Sequence, residues 1–162
     1  KSCCYDKGAS GDVEYLFNQM EHSGGDPLSR HNAEVNRLIS EDIAQGYSLV
    51  GTNVRVEMDG QVRVYDYVIR DPVADVNIAK EVKTTLFSTV FLNPRQVDFD
   101  VSLTMRGGTV SQSGTFIQGV AYEAVCFMCS ALDVRGTLRA RALEAAQIPI
   151  VRSTRPGIYE RQ

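Results

Sequence analysis

The chain has 162 residues, 43% of them hydrophobic, the makeup of one globular domain large enough to bury a core. No apolar run reaches membrane-spanning length and no charged-then-apolar signal segment opens the chain. The net charge of −3 argues against a surface coated in basic patches, although residues 135–162 carry a net of +4 against −7 for residues 1–134.

Residues 1–27 read as an N-terminal extension with a short helix. Gly8, Ser10 and Gly11 mark a frayed start. Asp12 caps a helix to Met20 on which Val13, Leu16, Phe17 and Met20 fall at helical spacing, and His22 to Leu28 is loop chemistry. From residue 28 onward the chain reads as a single domain. Ser29 starts a stronger helix running to Gln45, with Val35, Leu38, Ile39 and Ile43 as its apolar stripe and Gly46 as its stop. Tyr47 to Met58 is a first strand, Asp59-Gly60 a hairpin turn, Gln61 to Arg70 a second strand and Val76 to Phe87 a third. Asn93 caps a helix with Pro94 in its first turn, and Gln96 and Asp100 share a face of it.

Gly107-Gly108 breaks the chain, and Thr115 to Met128 is β-rich. Asp133 to Ala146 is helical by pattern, with Arg135 and Arg139 on one side. Ile148 to Arg152 is a last strand that Pro149 places at an edge or at its own start. The basic tail offers local phosphate contacts, because screening limits charge effects to roughly 10 Å; a solvated Arg-rich helix explains it equally well. Of the four cysteines, adjacent Cys3 and Cys4 do not suit a tetrahedral zinc site. Cys126 and Cys129 read as small apolar core material with buried thiols. A disulfide between the early pair and the late pair stays open.

The chemistry gathers between Tyr65 and Lys83. Asp71-Pro72 and Asp75 interrupt two runs rich in Val, Ile and Tyr, the composition of two strands and a tight turn. With a loop of Pro72–Asp75, Asp71 pairs with Val76 and Asp66 stands opposite Glu81. Strand alternation then puts Asp66, Glu81 and Lys83 on one side of the sheet. Two facing carboxylates repel unless positive charge lies between them. A divalent cation is the natural occupant, since hard cations prefer carboxylate and carbonyl oxygens. No other catalytic set competes: His22 and His31 lack a partnered Cys or Ser, and neither a Gly-rich phosphate loop nor a metal-spaced His pair occurs.

Asp66 followed by Glu81-Val82-Lys83 resembles the PD-(D/E)xK signature of restriction-endonuclease-like nucleases, with Tyr65 where the family carries Pro. The longer phrase, Asp59-Gly60, Tyr65 to Pro72 and Glu81 to Thr84, resembles the nuclease domains at the C-terminal tips of bacterial polymorphic and contact-dependent inhibition toxins. The likeness covers roughly residues 28–105 well and the rest loosely; a chain opening on Lys1 fits a processed product or an excised domain, and a tip cut from a longer toxin is only one such case. It implies an α/β (more strictly α+β) fold, a mixed central sheet flanked by helices, with residues 28–162 as one nuclease domain.

The resemblance further implies Mg²⁺ or another divalent cation held by Asp66, Glu81 and the carbonyl of Val82, with Lys83 beside the attacking water. Glu34, on the helix before the sheet, would complete the shell, with Glu41 and Asp42 as competitors for that place. Gln96 would join the site from the following helix. Arg95, Arg135 and Arg139 are the candidate phosphate contacts. The substrate would be DNA ahead of tRNA, and a cognate immunity protein would be the partner. Delivery would be by secretion or from a cell surface, with action in the cytoplasm of a competing cell. Two readings from other classes stay open: a non-catalytic nucleic-acid-binding module of the same fold using Arg135, Arg139, Arg141 and Arg152, and a protein-interaction domain.

Overall fold

The computed structural model describes residues 27–86, 88–129, 132–135 and 137–155. The expected helix over Asp12–Met20, the rest of the N-terminal extension up to residue 26, and Cys3 and Cys4 lie outside them. Helix α1 (Pro27–Ala44) leads into the hairpin β1 (Ser48–Met58) and β2 (Gln61–Asp71), then β3 (Val76–Thr85) and the short β4 (Thr89–Phe91). Helix α2 (Pro94–Met105) follows, then β5 (Thr109–Val110), β6 (Phe116–Ile117), β7 (Gly119–Cys126), β8 (Asp133–Arg135), α3 (Thr137–Ala145) and β9 (Ile150–Thr154). The central sheet is mixed and five-stranded, in the order β1-β2-β3-β7-β9. β1, β2 and β3 run antiparallel to one another, while β7 lies parallel to β3 and β9 parallel to β7. Helices flank the sheet on both faces. This is the expected α+β architecture, with β9 at the edge where Pro149 put it.

Each face of the sheet has its own core. Ala33, Val35, Leu38 and Ile39 of α1 meet Tyr67, Ile69, Val82, Val125 and Phe127 on one side. On the other, Val97, Phe99 and Leu103 of α2 and Ala140 and Leu143 of α3 pack with Val56, Tyr65, Val68, Ala79 and Tyr122. Burial of such side chains is worth roughly 1.5–3 kcal/mol each, so the two clusters hold the helices against the sheet. Local chemistry sets the joints. Asp59 and Gly60 both take positive φ (55° and 76°) at the β1–β2 turn, as a two-residue hairpin loop of matching twist requires. Asn93 accepts the amides of Arg95 and Gln96 at the start of α2, the capping role its position predicts.

The β2–β3 register is the expected one: Asp71 pairs with Val76 and the ladder continues to Tyr67 opposite Lys80. Asp71 also folds its own turn, its carboxylate accepting the amides of Val73 (2.9 Å) and Ala74 (3.2 Å).

Two expectations change. The segment Asp133–Arg135 is a strand paired parallel to Thr89–Phe91, so the last helix starts only at Thr137 and Arg135 does not share a helix face with Arg139. Cys126 and Cys129 are joined to each other by a disulfide, not free thiols. Their Cα atoms stand 6.0 Å apart where β7 gives way to a bend, within the span such a bridge covers.

Candidate active site

The β1–β2 register shifts between Leu49 and Gly51, and the alternation of faces along β2 also slips at Asp66. Tyr65 packs under α2 and α3 while Tyr67, two residues on, packs under α1; a regular strand would return both to one face. Opposite Asp66 on β1, between the pairs Thr52–Tyr67 and Val54–Tyr65, Asn53 takes a positive φ of 49°, a conformation Asn tolerates better than most residues. Asp66 is thereby turned along the sheet toward β3. Its Oδ2 accepts the Val82 amide at 2.7 Å, just past the end of the β2–β3 ladder. Its Oδ1 lies 3.3 Å from His31 Nε2, and the same nitrogen stands 3.0 Å from the Val82 carbonyl oxygen. The hydrogen bond to Asp66 raises the His31 pKa above its ordinary value, against the opposing effect of burial.

Glu81 and Lys83 point the other way, toward α2. Lys83 Nζ stands 2.9 Å from Glu81 Oε2 and donates to Gln96 Oε1 at 2.7 Å. Glu81 Oε1 accepts from Arg63 at 3.0 Å. Arg63 in turn grips Asp100 through two parallel hydrogen bonds of 3.1 and 3.0 Å, the bidentate fork that guanidinium geometry favours. Tyr65 and Tyr122 also donate to Asp100, at 2.5 and 2.6 Å. Burial, reinforced by the Asp100 carboxylate, pushes both phenols well above their usual range, so they act as neutral donors. Asp100 is fully buried, and four donor hydrogen bonds offset the cost of its charge there.

Glu34 is one turn along α1 from His31 and 0% exposed. Its Oε2 meets Arg155 at 3.2 Å, while Glu34 Oε1 and Arg155 Nε are buried with no hydrogen-bond partner among the described residues. Burial raises the Glu34 pKa, and Arg155 only partly counters it. The folded state therefore holds a proton that the unfolded chain has already released. This contribution to stability is complete below the ordinary glutamate value of 4.5 and is lost as pH rises through the higher folded value. Urea titrations from pH 4.5 to 7.5 will show the wild type losing stability relative to Glu34→Gln as pH rises. Parallel curves for the two proteins would contradict the raised value. Of the two competing acids, Glu41 pairs with Arg37 and, at 3.8 Å, with the same Arg155, and Asp42 with Tyr67 and, at 3.6 Å, Lys80.

A cleft of about 440 Å³ opens beside the Lys83–Gln96 contact, lined by Gln61, Val62, Arg63, Arg95, Gln96, Asp98 and Phe99. Arg95 is exposed at its rim, and Arg139 is exposed on α3. The placement of the Arg135 side chain lies outside what is described.

The structure thus brings Glu81, Lys83 and Gln96 together, and separately Asp66 and Val82. Glu34 sits with Arg155, away from both groups. Among the described residues no group of three or more His, Cys, Asp and Glu side chains is arranged to hold a metal ion. The hard donors gathered beside His31 are one carboxylate oxygen and one carbonyl oxygen. Asp66 Oδ1 and the Val82 carbonyl converge on one point, marked by the positively polarised N–H of His31. Mg²⁺ typically takes only one or two carboxylates and keeps several waters.

Three residues that sequence reasoning passed over shape this site. His31 shares the stripe of Val35 and Leu38 at i+4 and i+7, and a polar residue on an apolar stripe is the signal that would have found it. Arg63 alternates with Val62 and Val64, but the valines face outward and Arg63 inward; local pattern points the opposite way. Asp100 is read correctly as a neighbour of Gln96, yet only its tertiary partners reveal that it is buried.

No family model matches the chain, and no curated protein matches it either. Among solved structures the chain is similar to the structure of Pyrococcus furiosus SfsA in complex with Ca²⁺, with 12% identity and a TM-score of 0.47, over 80% of this chain and 57% of that one. The chain spans less than two thirds of that protein's length, and so distant a likeness says nothing of what this chain does.

Proposed function

We propose that this chain is a metal-dependent nuclease of restriction-endonuclease-like type that hydrolyses phosphodiester bonds, in DNA ahead of tRNA. One observation carries the reading. Lys83 is clamped between Glu81 and Gln96 while Asp66, from the neighbouring strand, caps the backbone of the residue between Glu81 and Lys83. Glu81, Lys83 and Gln96 thus gather on the α2 side of β3, while Asp66 engages the Val82 backbone from β2. Asp66 and the Val82 carbonyl would hold Mg²⁺, which would supply Lewis-acid activation of water and of the phosphate. Glu81 and Gln96 hold the Lys83 ammonium in place, where it offsets charge growing on the phosphate without moving. Arg95, exposed beside the adjoining cleft, offers its guanidinium group to a flanking phosphate. A toxin role, delivery into a competing cell's cytoplasm and a cognate immunity protein rest on the sequence resemblance alone.

The test is incubation with plasmid DNA and with total tRNA, each with Mg²⁺ and with EDTA. Cleavage of one substrate that EDTA abolishes supports the reading; no cleavage of either, or cleavage indifferent to EDTA, defeats it. A second reading has its own support. The acids of the motif already have partners, Asp66 with His31 and Glu81 with the cations Arg63 and Lys83, and Arg139, Arg141 and Arg152 are exposed. A non-catalytic nucleic-acid-binding module would look like this, and it would bind without cutting in Mg²⁺.

A further inference from the structure

The geometry points to the cleft beside Lys83 as a pocket for one unpaired guanine, held between Arg95 and Asp98. The role of that base as part of a substrate rests on the nuclease reading, but its binding needs neither cleavage nor a metal ion. The cleft measures about 440 Å³, within the range of small-molecule sites. Of the polar side chains lining it, two are already engaged: Arg63 with Asp100 and Glu81, and Gln96, whose Oε1 accepts from Lys83. Gln61, Arg95 and Asp98 line it as well, and among the described residues their side chains have no hydrogen bond or ion pair. Val62, also on the wall, is 44% exposed, an apolar surface that a flat ring would cover.

Charge and spacing choose the base. Arg95 and Asp98 lie three residues apart on α2, so their Cβ atoms stand about 5–6 Å apart on one face of the helix. A guanidinium only donates and a carboxylate only accepts. Guanine offers both what they need: O6 and N7 accept a guanidinium fork, while N1–H and the N2 amino group donate side by side to a carboxylate. Adenine turns its N6 donor toward the guanidinium, and neither pyrimidine has two adjacent donors for Asp98. Gln96 adds a further donor at Nε2, since its Oε1 is committed to Lys83. Pairing in a duplex closes off N1–H, so the base must come from a loop, an end or a flipped nucleotide. The cleft shares Gln96 with Lys83, which puts the seated nucleotide next to the ammonium.

Calorimetric titration of the whole chain in EDTA tests this with the 5′-monophosphates of guanosine, deoxyguanosine, adenosine, cytidine and uridine, and with inorganic phosphate. The wild type will bind the guanosine nucleotides tighter than the rest by on the order of ten- to a hundredfold. Asp98→Asn will lose most of that preference, and Arg95→Ala will bind guanosine monophosphate more weakly. Both residues are exposed, so thermal midpoints of the two variants will match the wild type. A difference between the two guanosine nucleotides would name the sugar of the substrate and supports the pocket equally. Equal binding of all bases, inorganic phosphate binding as tightly as a nucleotide, or unchanged selectivity in Asp98→Asn would each overturn it. If no nucleotide binds while plasmid or tRNA is still cut in Mg²⁺, the pocket falls and the nuclease reading stands. If guanosine monophosphate binds selectively and neither nucleic acid is cut, the nuclease reading falls and the base pocket stands.

Discussion

Lys83→Ala will fold like the wild type and cleave nucleic acid roughly a hundred- to a thousand-fold more slowly, the usual cost of losing one preorganised electrostatic group. The structure separates the two effects. Lys83 is 20% exposed and its main partner, Glu81, stays bound to Arg63 at 3.0 Å when the ammonium is gone. The lost contacts therefore cost stability only about 1 kcal/mol. Asp66→Ala should be as inactive, and somewhat less stable because the Val82 amide loses its acceptor. Plasmid nicking rates alongside thermal midpoints check both. Wild-type cleavage by either variant would remove these residues from the chemistry.

Asp100→Ala will have the largest effect on the fold itself, a loss of about 3–5 kcal/mol, as when one partner of a buried ion pair is removed. Arg63, 3% exposed, would keep a single carboxylate partner, Glu81, and the hydroxyls of Tyr65 and Tyr122 would lose their acceptor inside the core. For a domain of this size, that is a large share of the total stability. Asp100→Asn keeps an oxygen and should lose less. Urea midpoints measure the difference, and a loss for Asp100→Ala below about 1 kcal/mol would mean that this network carries little of the stability. Because Arg63 also holds Glu81, any partly folded Asp100 variant should cut poorly as well.

What could be read from the chain alone follows how far apart the interacting residues are. The β2–β3 hairpin is local, so its turn residues and apolar runs suffice to give the Asp71–Val76 pairing. The Asn93-Pro94 cap is local too. The pairing of Asp133–Arg135 with Thr89–Phe91 joins segments 44 residues apart, and no periodicity within either reports the other. The slip at Asp66 is of the same kind. Regular alternation puts Asp66, Glu81 and Lys83 on one face, whereas Asn53, across the ladder, accompanies a local twist that turns Asp66 toward His31. Residue types at the site were legible; the direction in which each side chain points depended on neighbours from α1, β1 and α2.

The pairing of acids with protein cations has a practical consequence. Glu81 and Asp100 are balanced by Lys83 and Arg63, and Asp66 accepts the Val82 amide, so the polypeptide can reach its native state without borrowing charge from an ion. On the proposed reading, folding does not wait for the ion, unlike in domains that collapse only around their ligand. A chelator should thus silence the protein while leaving its melting curve where it was, and returning the ion should revive it with no refolding delay.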